Sequence, residues 1–291
     1  MNKENKNLDI LPSQDQLNLY GYEENFKFFI NLFEKKKLPN VILLTGPKGS
    51  GKATFAYHII NYLFSLNEED KYSLTNFTIN PKNRSFNNLC NKTHPNFLLL
   101  ENKDFEENIK IDNVKNVLKF LNKSTLNPGI RIVLIDNSEY LNVSSSNALL
   151  KSLEEPSENT FFFIIHNSAK KILDTIKSRC IQFSFYFTLL QKKEILSNIL
   201  RQYNCSLSID EINSNFYYDS PGNILKYFKF LVDNKIDFSE GKLSCISYLI
   251  SNYKKQKDPQ LLNFISLLVE IFYNELSIKN NKKLNNYFFN K

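Results

Sequence analysis

A glycine-rich loop stands between a predicted strand and a predicted helix near the start of the chain. Residues 41–45 predict a buried parallel strand, the loop reads GPKGSGK at 46–52, and residues 52–64 have helical spacing. Glycines allow backbone N–H groups to surround phosphate oxygens at a helix N-terminus, and the last lysine can reach the outer phosphates. The order therefore predicts a phosphate-binding loop in an α/β sheet; the alternative is a plain turn.

The loop departs from an active nucleotide site at its last position. Ala53 stands where a Ser or Thr would place a hydroxyl on magnesium, and Thr54 is rotated by about 100° on a helix. We therefore expect a degenerate site that could bind ATP or ADP through its phosphates and that holds Mg²⁺ weakly; whether nucleotide binds stays open. The candidate nucleotide-binding residues of this segment are Gly46, Pro47, Lys48, Gly49, Ser50, Gly51, Lys52, Ala53 and Thr54.

Polar residues follow two further predicted strands. Asp136 ends the strand at 131–135 and is either a magnesium ligand or a strand-end turn residue. Asn137 cannot act as a general base, and the direction of Glu139 is open. After the strand at 160–165, Asn167 or Ser168 either contacts a terminal phosphate or caps a helix over 169–173.

Strands and helices alternate up to residue 187. Buried strands at 97–101 and 131–135 enclose an amphipathic helix at 112–123, and Asn142 is a predicted N-cap for a helix that ends at Pro156. Residues 67–96 are polar and Asn-rich and predict an irregular insert. The fold class is α/β with a mostly parallel sheet, and helices follow at 188–232 and 240–291.

The lysine-rich face of the helix predicted at 112–123 has two interpretations. The net charge of +7 favours a polyanionic partner, although the Lys- and Asn-rich composition also fits a compositional bias of the whole genome. Lys115, Lys119 and Lys123 recur at four-residue spacing. This face either contacts DNA or is a solvated helix side.

Several other classes of protein are disfavoured. The longest apolar runs are strand-length, far short of the roughly 20 residues of a membrane helix, and the charged N-terminus does not resemble a secretory signal. The four cysteines are not closely spaced in pairs along the sequence. This pattern favours free thiols, and we expect a cytoplasmic location. Cys90 and His94 lack a second pair of ligands, so no zinc or other metal centre is expected, and no nucleophile elbow supports covalent catalysis.

One arginine near a predicted helix end has two interpretations. Arg179 lies in the run Ser178-Arg179-Cys180, and the sequence shows no acidic partner nearby. An arginine at a domain edge can stabilise phosphate charge in a neighbouring subunit, as an arginine finger does. The alternative is a solvated surface group.

The run IDNSEYLNVSSSNALLKSLEEPSENTFFFIIHNS at 135–168, followed by TIKSRC at 175–180, resembles the clamp-loader branch of the AAA+ proteins. The resemblance covers about residues 10–187. It implies an AAA+ domain at 1–187, a helical lid at 188–235 and a helical oligomerisation collar at 236–291. It also implies an arc of subunits with motor (gamma/tau) and delta partners, which places a sliding clamp on primed DNA.

The resemblance assigns an arginine finger in trans to Arg179 and a degenerate nucleotide loop to residues 46–54. Motor subunits carry Asp-Glu where this chain has Asp136-Asn137, a Ser or Thr in place of Ala53, and a sensor arginine that 219–224 lacks. The resemblance therefore implies a non-motor (stator) subunit with weak or absent ATPase of its own. The alternatives are an active motor ATPase of the gamma type, using Thr54 and Glu139, and a stand-alone replication DNA-binding protein.

Overall fold

The computed structural model describes residues 10–102, 108–122, 129–203, 219–233, 242–257, 261–262, 264–266 and 268–269. The chain divides into two compact units, one of residues 11–191 and one of residues 1–10 with 192–291. Among the described residues, none of the helices combines the length and apolar character that crossing a bilayer requires.

A parallel sheet of five strands forms the centre of the unit at 11–191. The strands are β1 (Val41–Gly46), β2 (Phe97–Leu100), β3 (Arg131–Ile135), β4 (Thr160–Asn167) and β5 (Ile181–Ser184). Their order is β2-β3-β4-β1-β5, and every pairing is parallel. The expected α/β class with a mostly parallel sheet is therefore confirmed.

Helices cover both faces of this sheet because its central strands are buried on both sides. They are α1 (Glu23–Glu34), α2 (Lys52–Ser65), α3 (Arg84–Cys90), α4 (Ile111–Asn122), α5 (Val143–Glu154) and α6 (Asp174–Lys177). All six residues of β1 are buried, as a strand between two helical layers requires. Side chains of alternate strand residues enter two separate cores: Leu44 joins the layer with Phe29 and Phe55, and Leu43 joins the one with Val114.

Local signals placed most boundaries within two residues. The predicted cap of α5 is confirmed, because the Asn142 side chain accepts a hydrogen bond from the Ser145 N–H at 2.8 Å. The strand at 131–135 is also confirmed.

Three sequence expectations differ from the structure. The helix expected over 169–173 is wrong, because residues 168–173 form a turn and an irregular segment and α6 begins only at Asp174. The edge strand β5 was not predicted, because its exposed residues lack an apolar run. The expected irregular insert contains α3, whose Asn83 cap accepts a hydrogen bond from the Phe86 N–H at 2.7 Å.

Helices also make up the described part of the chain after residue 188. They are α7 (Leu189–Gln202), α8 (Pro221–Asp233) and α9 (Lys242–Gln256). In the second unit the buried side chains of Leu196, Ile224 and Leu249 share one apolar cluster. Of the predicted lid and collar, residues 204–218, 234–241 and 270–291 lie outside the described residues, and the boundary between the two stays a prediction.

Candidate functional site at the carboxyl edge of the sheet

The glycine loop, residues 46–52, joins the carboxyl end of β1 to the first residue of α2. Gly46 passes so close to the neighbouring segment that a Cβ there would lie 2.3 Å from the Phe185 carbonyl oxygen. Gly51, which precedes α2, has φ +84°, a conformation that favours glycine. The loop thus has the strand-loop-helix geometry of a phosphate site, with the N-terminus of α2 at its end.

The ammonium group of Lys52 lies inside this loop. Its Nζ donates hydrogen bonds to the carbonyl oxygens of Gly46 at 2.9 Å and Pro47 at 2.6 Å, with Ser50 Oγ at 3.4 Å. Only 5% of the residue is exposed, and this burial lowers the pKa of Lys52 to about 8. A phosphate would have to compete with these carbonyls for the ammonium group.

Two carboxylates that follow β3, those of Asp136 and Glu139, act electrostatically on the lysine of the loop. Burial raises the pKa of Asp136 to about 6, although the Asn137 N–H donates to its Oδ1 at 2.8 Å. Glu139 and Asp136 both raise the pKa of Lys52, against the larger effect of burial. The three charged groups therefore share one partly desolvated region at the carboxyl edge of the sheet.

The sequence left the direction of the Glu139 side chain open; in the structure it points to the end of β4. Its Oε2 accepts a hydrogen bond from the Asn167 N–H at 3.2 Å and lies 3.7 Å from Nδ1 of His166. The side chain is only 3% exposed. Burial lowers the pKa of His166 despite the opposing effect of Glu139, so the imidazole is neutral at pH 7.

Ser168 lies beside the first glycine of the loop. Its backbone N–H donates to the Gly46 carbonyl at 3.0 Å, while the Asn167 side chain accepts from the Ala169 N–H at 3.2 Å. The structure thus brings together Gly46, Lys52, Asp136 and Ser168 of the predicted set. Ala53 follows Lys52 in the first turn of α2 and supplies no hydroxyl.

Tyr22 contacts the glycine loop, although no sequence motif assigns it to the site. Its hydroxyl donates to the Ser50 carbonyl oxygen at 2.6 Å, and its ring packs edge-on against Phe185 with centroids 4.8 Å apart. Residue 22 is 28 positions away from the carbonyl that it contacts. No local spacing could have indicated this contact.

Arg179 lies at the opposite edge of the sheet from the glycine loop. It precedes β5, whose first residue Ile181 is level with Ile42, four positions before Gly46. Four strand residues span about 13 Å. Arg179 comes before Ile181 in the chain, so it lies still farther from Gly46 along the strand direction. The arginine and the loop of one chain are therefore separated along the strand direction.

The Arg179 guanidinium has an acidic partner that sequence proximity did not reveal. Its Nε donates to Glu154 Oε1 at 2.7 Å, its Nη2 donates to the same oxygen, and its Nη1 donates to the Thr175 carbonyl at 2.7 Å. Glu154 is the last residue of α5. The sequence separation of 25 residues hid this pair.

The lysine face on α4 is described only in part. Lys115 Nζ lies 2.8 Å from Asp112 Oδ1, Lys119 is exposed, and Lys123 lies outside the described residues.

Cys90 and His94, the pair with ligand-like spacing, each contact a different part of the chain. Cys90 Sγ lies 3.5 Å from the Gln14 carbonyl, and the His94 ring stacks on Phe64. In the part of the chain that the structure describes, no cluster of three or more His, Cys, Asp or Glu side chains could hold a metal ion.

A family model described as DNA polymerase III, delta subunit, matches residues 21–188. DNA polymerase III subunit delta' of Pseudomonas aeruginosa is 34% identical over 140 residues, which cover 48% of this chain and 41% of the relative. The delta' subunit of Buchnera aphidicola subsp. Schizaphis graminum is 32% identical over 200 residues, covering 67% and 57%. The chain thus spans about half the length of these curated relatives.

Solved structures resemble the chain at lower identity. A DNA polymerase III gamma subunit-related protein of Thermotoga maritima has a TM-score of 0.40 and 17% identity, covering 88% of this chain and 94% of that one. The RuvB Holliday junction branch migration motor of Thermotoga maritima has a TM-score of 0.47 and 13% identity, covering 94% and 77%. The family of the chain is therefore assigned from its sequence relatives and not from these structures.

Proposed function

The chain belongs to the delta' family of DNA polymerase III subunits, and from this premise we propose that it is the non-motor, or stator, subunit of a clamp loader. In this role it supports the ATP-driven loading of a sliding clamp onto primed DNA. It supplies the Arg179 guanidinium to ATP bound by a neighbouring motor subunit. Its own glycine loop does not drive the reaction.

The position of Arg179 is the observation that carries this proposal. Because the arginine precedes the amino end of β5 and the glycine loop follows the carboxyl end of β1, the guanidinium does not approach the phosphate site of its own chain. An arginine that is to stabilise phosphate charge from this edge has to act on a nucleotide held by another subunit. The domain edge beside α6 then forms the contact with that subunit.

The glycine loop supports a non-motor role by what surrounds it. Ala53 offers no hydroxyl to magnesium, and Asn137 stands where a motor would carry a general base. The raised pKa of Asp136, about 6, further weakens it as a metal ligand in mildly acidic solution. We propose that the loop binds ATP or ADP through its phosphates, holds Mg²⁺ weakly, and hydrolyses nucleotide weakly or not at all.

The partners are part of the same proposal. They are the motor (gamma/tau) and delta subunits of the clamp loader, the sliding clamp through those subunits, and primed DNA within the complex. The proposed location is the cytoplasm. A DNA-facing role for Lys115, Lys119 and Lys123 stays a prediction.

Reconstitution with the motor and delta subunits of the same genome tests the proposal. Arg179→Ala should slow ATP turnover of the complex by about 10³-fold, because a finger acting in trans contributes at least this much in well-studied NTPases. Lys177→Ala is the matched control, since Lys177 is an exposed cation in the last turn of α6. Unchanged turnover by a fully assembled Arg179→Ala complex would contradict the stator role.

An active motor ATPase is the second candidate, and the position of Glu139 favours it. This carboxylate is buried at the carboxyl edge, where its charge acts on Lys52. A motor of this kind would hydrolyse ATP as the isolated chain, and Lys52→Ala would abolish that activity. A stand-alone DNA-binding protein would instead show salt-sensitive DNA affinity without any partner.

A further inference from the structure

Glu154 binds the guanidinium of Arg179, which in the proposed function contacts ATP of another subunit. Its Oε1 accepts from both Nε and Nη2 of Arg179, which together form one edge of the guanidinium. Nη1 is engaged by the Thr175 carbonyl at 2.7 Å and by Ser178 Oγ at 3.3 Å. Four hydrogen bonds thus occupy a group that has five N–H donors.

This arrangement leaves no free edge for a phosphate. A guanidinium recognises phosphate best through two parallel N–H donors on one edge. Glu154 covers the Nε–Nη2 edge, and the Nη1 contacts with Thr175 and Ser178 cover the other. Two-point binding of a triphosphate therefore requires the arginine to leave its internal partners.

The surroundings of the carboxylate allow such an exchange. The Glu154 side chain is 49% exposed and that of Arg179 is 27% exposed, so water can solvate both groups after they separate. Glu154 also lies at the C-terminus of α5, where a negative charge is disfavoured by the helix dipole and a cation relieves it. The pair is an internal contact of modest strength at the edge of the domain.

We propose that Glu154 is a positioning residue that competes with the neighbouring subunit's triphosphate for Arg179. This inference rests on the proposed function. In the free subunit the carboxylate stands in for phosphate oxygens and keeps the guanidinium at the C-terminus of α5. In the assembled complex the triphosphate displaces the carboxylate, and the arginine engages only where a nucleotide is present.

The size of the effect follows from the exposure of the pair. An exposed ion pair shifts the equilibrium between its paired and separated states by about 1.4- to 5-fold. If only the separated state binds a ligand, the apparent affinity falls in proportion to the fraction of molecules in that state. Loss of the carboxylate should therefore lower the KM for ATP by a similar factor. The kcat should change less than twofold, because saturating ATP already displaces Glu154.

ATP turnover of the reconstituted complex tests the inference with three variants of this chain. Glu154→Gln removes the charge and keeps the shape, Glu155→Gln removes the adjacent charge as a matched control, and Arg179→Ala removes the finger. We expect Glu154→Gln to lower KM by about 1.4- to 5-fold and Glu155→Gln to behave like the parent. In the Arg179→Ala background Glu154→Gln should have no further effect.

The outcomes separate the inference from the proposed function. If Arg179→Ala slows turnover but Glu154→Gln leaves KM unchanged or raises it, competition by Glu154 is refuted and the stator role stands. If Arg179→Ala changes nothing, both are refuted.

Hydrogen exchange at Arg179 Nε in the free chain, followed by NMR, tests the pair without the complex. We expect faster exchange in Glu154→Gln than in Glu155→Gln. Equal rates in the two variants would overturn the inference even if a variant failed to assemble.

Discussion

The hydroxyl of Tyr22 donates a hydrogen bond to the backbone carbonyl of Ser50 at 2.6 Å and so fixes the glycine loop to the segment that precedes α1. The contact is buried, and the Tyr22 ring also packs against Phe55 and Phe185. The shape of the glycine loop therefore depends on a residue outside it.

Tyr22→Phe should lower the free energy of unfolding by about 1 to 3 kcal/mol, because the ring is kept while a buried carbonyl loses its donor. Urea denaturation of the full chain measures this change. Tyr186→Phe is the control, since Tyr186 is 60% exposed. Equal effects of the two substitutions would show that the Ser50 contact contributes nothing to stability.

Gly46→Ala should be more damaging than Gly51→Ala. A Cβ at position 46 would lie 2.3 Å from the Phe185 carbonyl oxygen, whereas one at position 51 would lie 3.5 Å from a Tyr22 ring carbon and meet only an unfavourable φ. We expect losses in the free energy of unfolding of about 3 and about 1 kcal/mol, respectively. Thermal unfolding of both variants checks the order, and a reversed order would refute the close approach of β1 to Phe185.

Binding of ADP without magnesium should weaken as the pH rises through about 8. Burial lowers the pKa of Lys52 to about 8, so its ammonium form, which attracts phosphate, is lost above that pH. Between pH 7.5 and pH 9 the affinity should fall by roughly eightfold if phosphate binding requires the charged lysine. Calorimetry measures this, and Lys52→Arg should remove the dependence because arginine stays charged.

His58 is built into the core as a neutral ring. Its Nδ1 lies 2.9 Å from the Tyr72 hydroxyl and its Nε2 lies 3.1 Å from the Gln16 carbonyl. Since a carbonyl only accepts, Nε2 carries the proton and Nδ1 accepts from the tyrosine. Burial then lowers the pKa of His58 to about 3.

The chain should lose stability as the pH falls from about 6.5 to about 4. Burial also lowers the pKa of His94 to about 4 and that of His166, so all three histidines bind protons more readily in the unfolded chain. His58 alone should remove about 2 kcal/mol between pH 7 and pH 5. Asp136, whose pKa is raised to about 6, binds a proton more readily in the folded chain. Its protonation therefore offsets part of the loss of stability.

Urea unfolding at pH 7 and pH 5 measures that loss. His58→Gln does not titrate, so the difference between the two pH values should be smaller by about 2 kcal/mol in this variant. An unchanged difference would mean that His58 is not held neutral in the folded chain.

Much of the sheet and half of the candidate site could be predicted from the sequence. The glycine loop, the strand at 131–135 and the Asn142 cap depend on local residue order, and the structure has each of them as expected. The turn at 168–173 was mistaken for a helix because several residues there have acceptable helix propensity. Strand β5 was missed because an exposed edge strand carries no continuous apolar run.

By itself, the sequence determined the parallel α/β class, the position of the glycine loop and the presence of Ala53 and Asn137 at the candidate nucleotide site. Only the tertiary structure decided that Tyr22 closes that loop, that Glu139 contacts β4 and that Glu154 holds Arg179. Hydrophobic spacing and loop motifs act within a few residues of the chain, so they can be read directly from it. The other contacts join segments 25 or more residues apart, and they exist only because the folded sheet and its helices bring the two segments of each contact together.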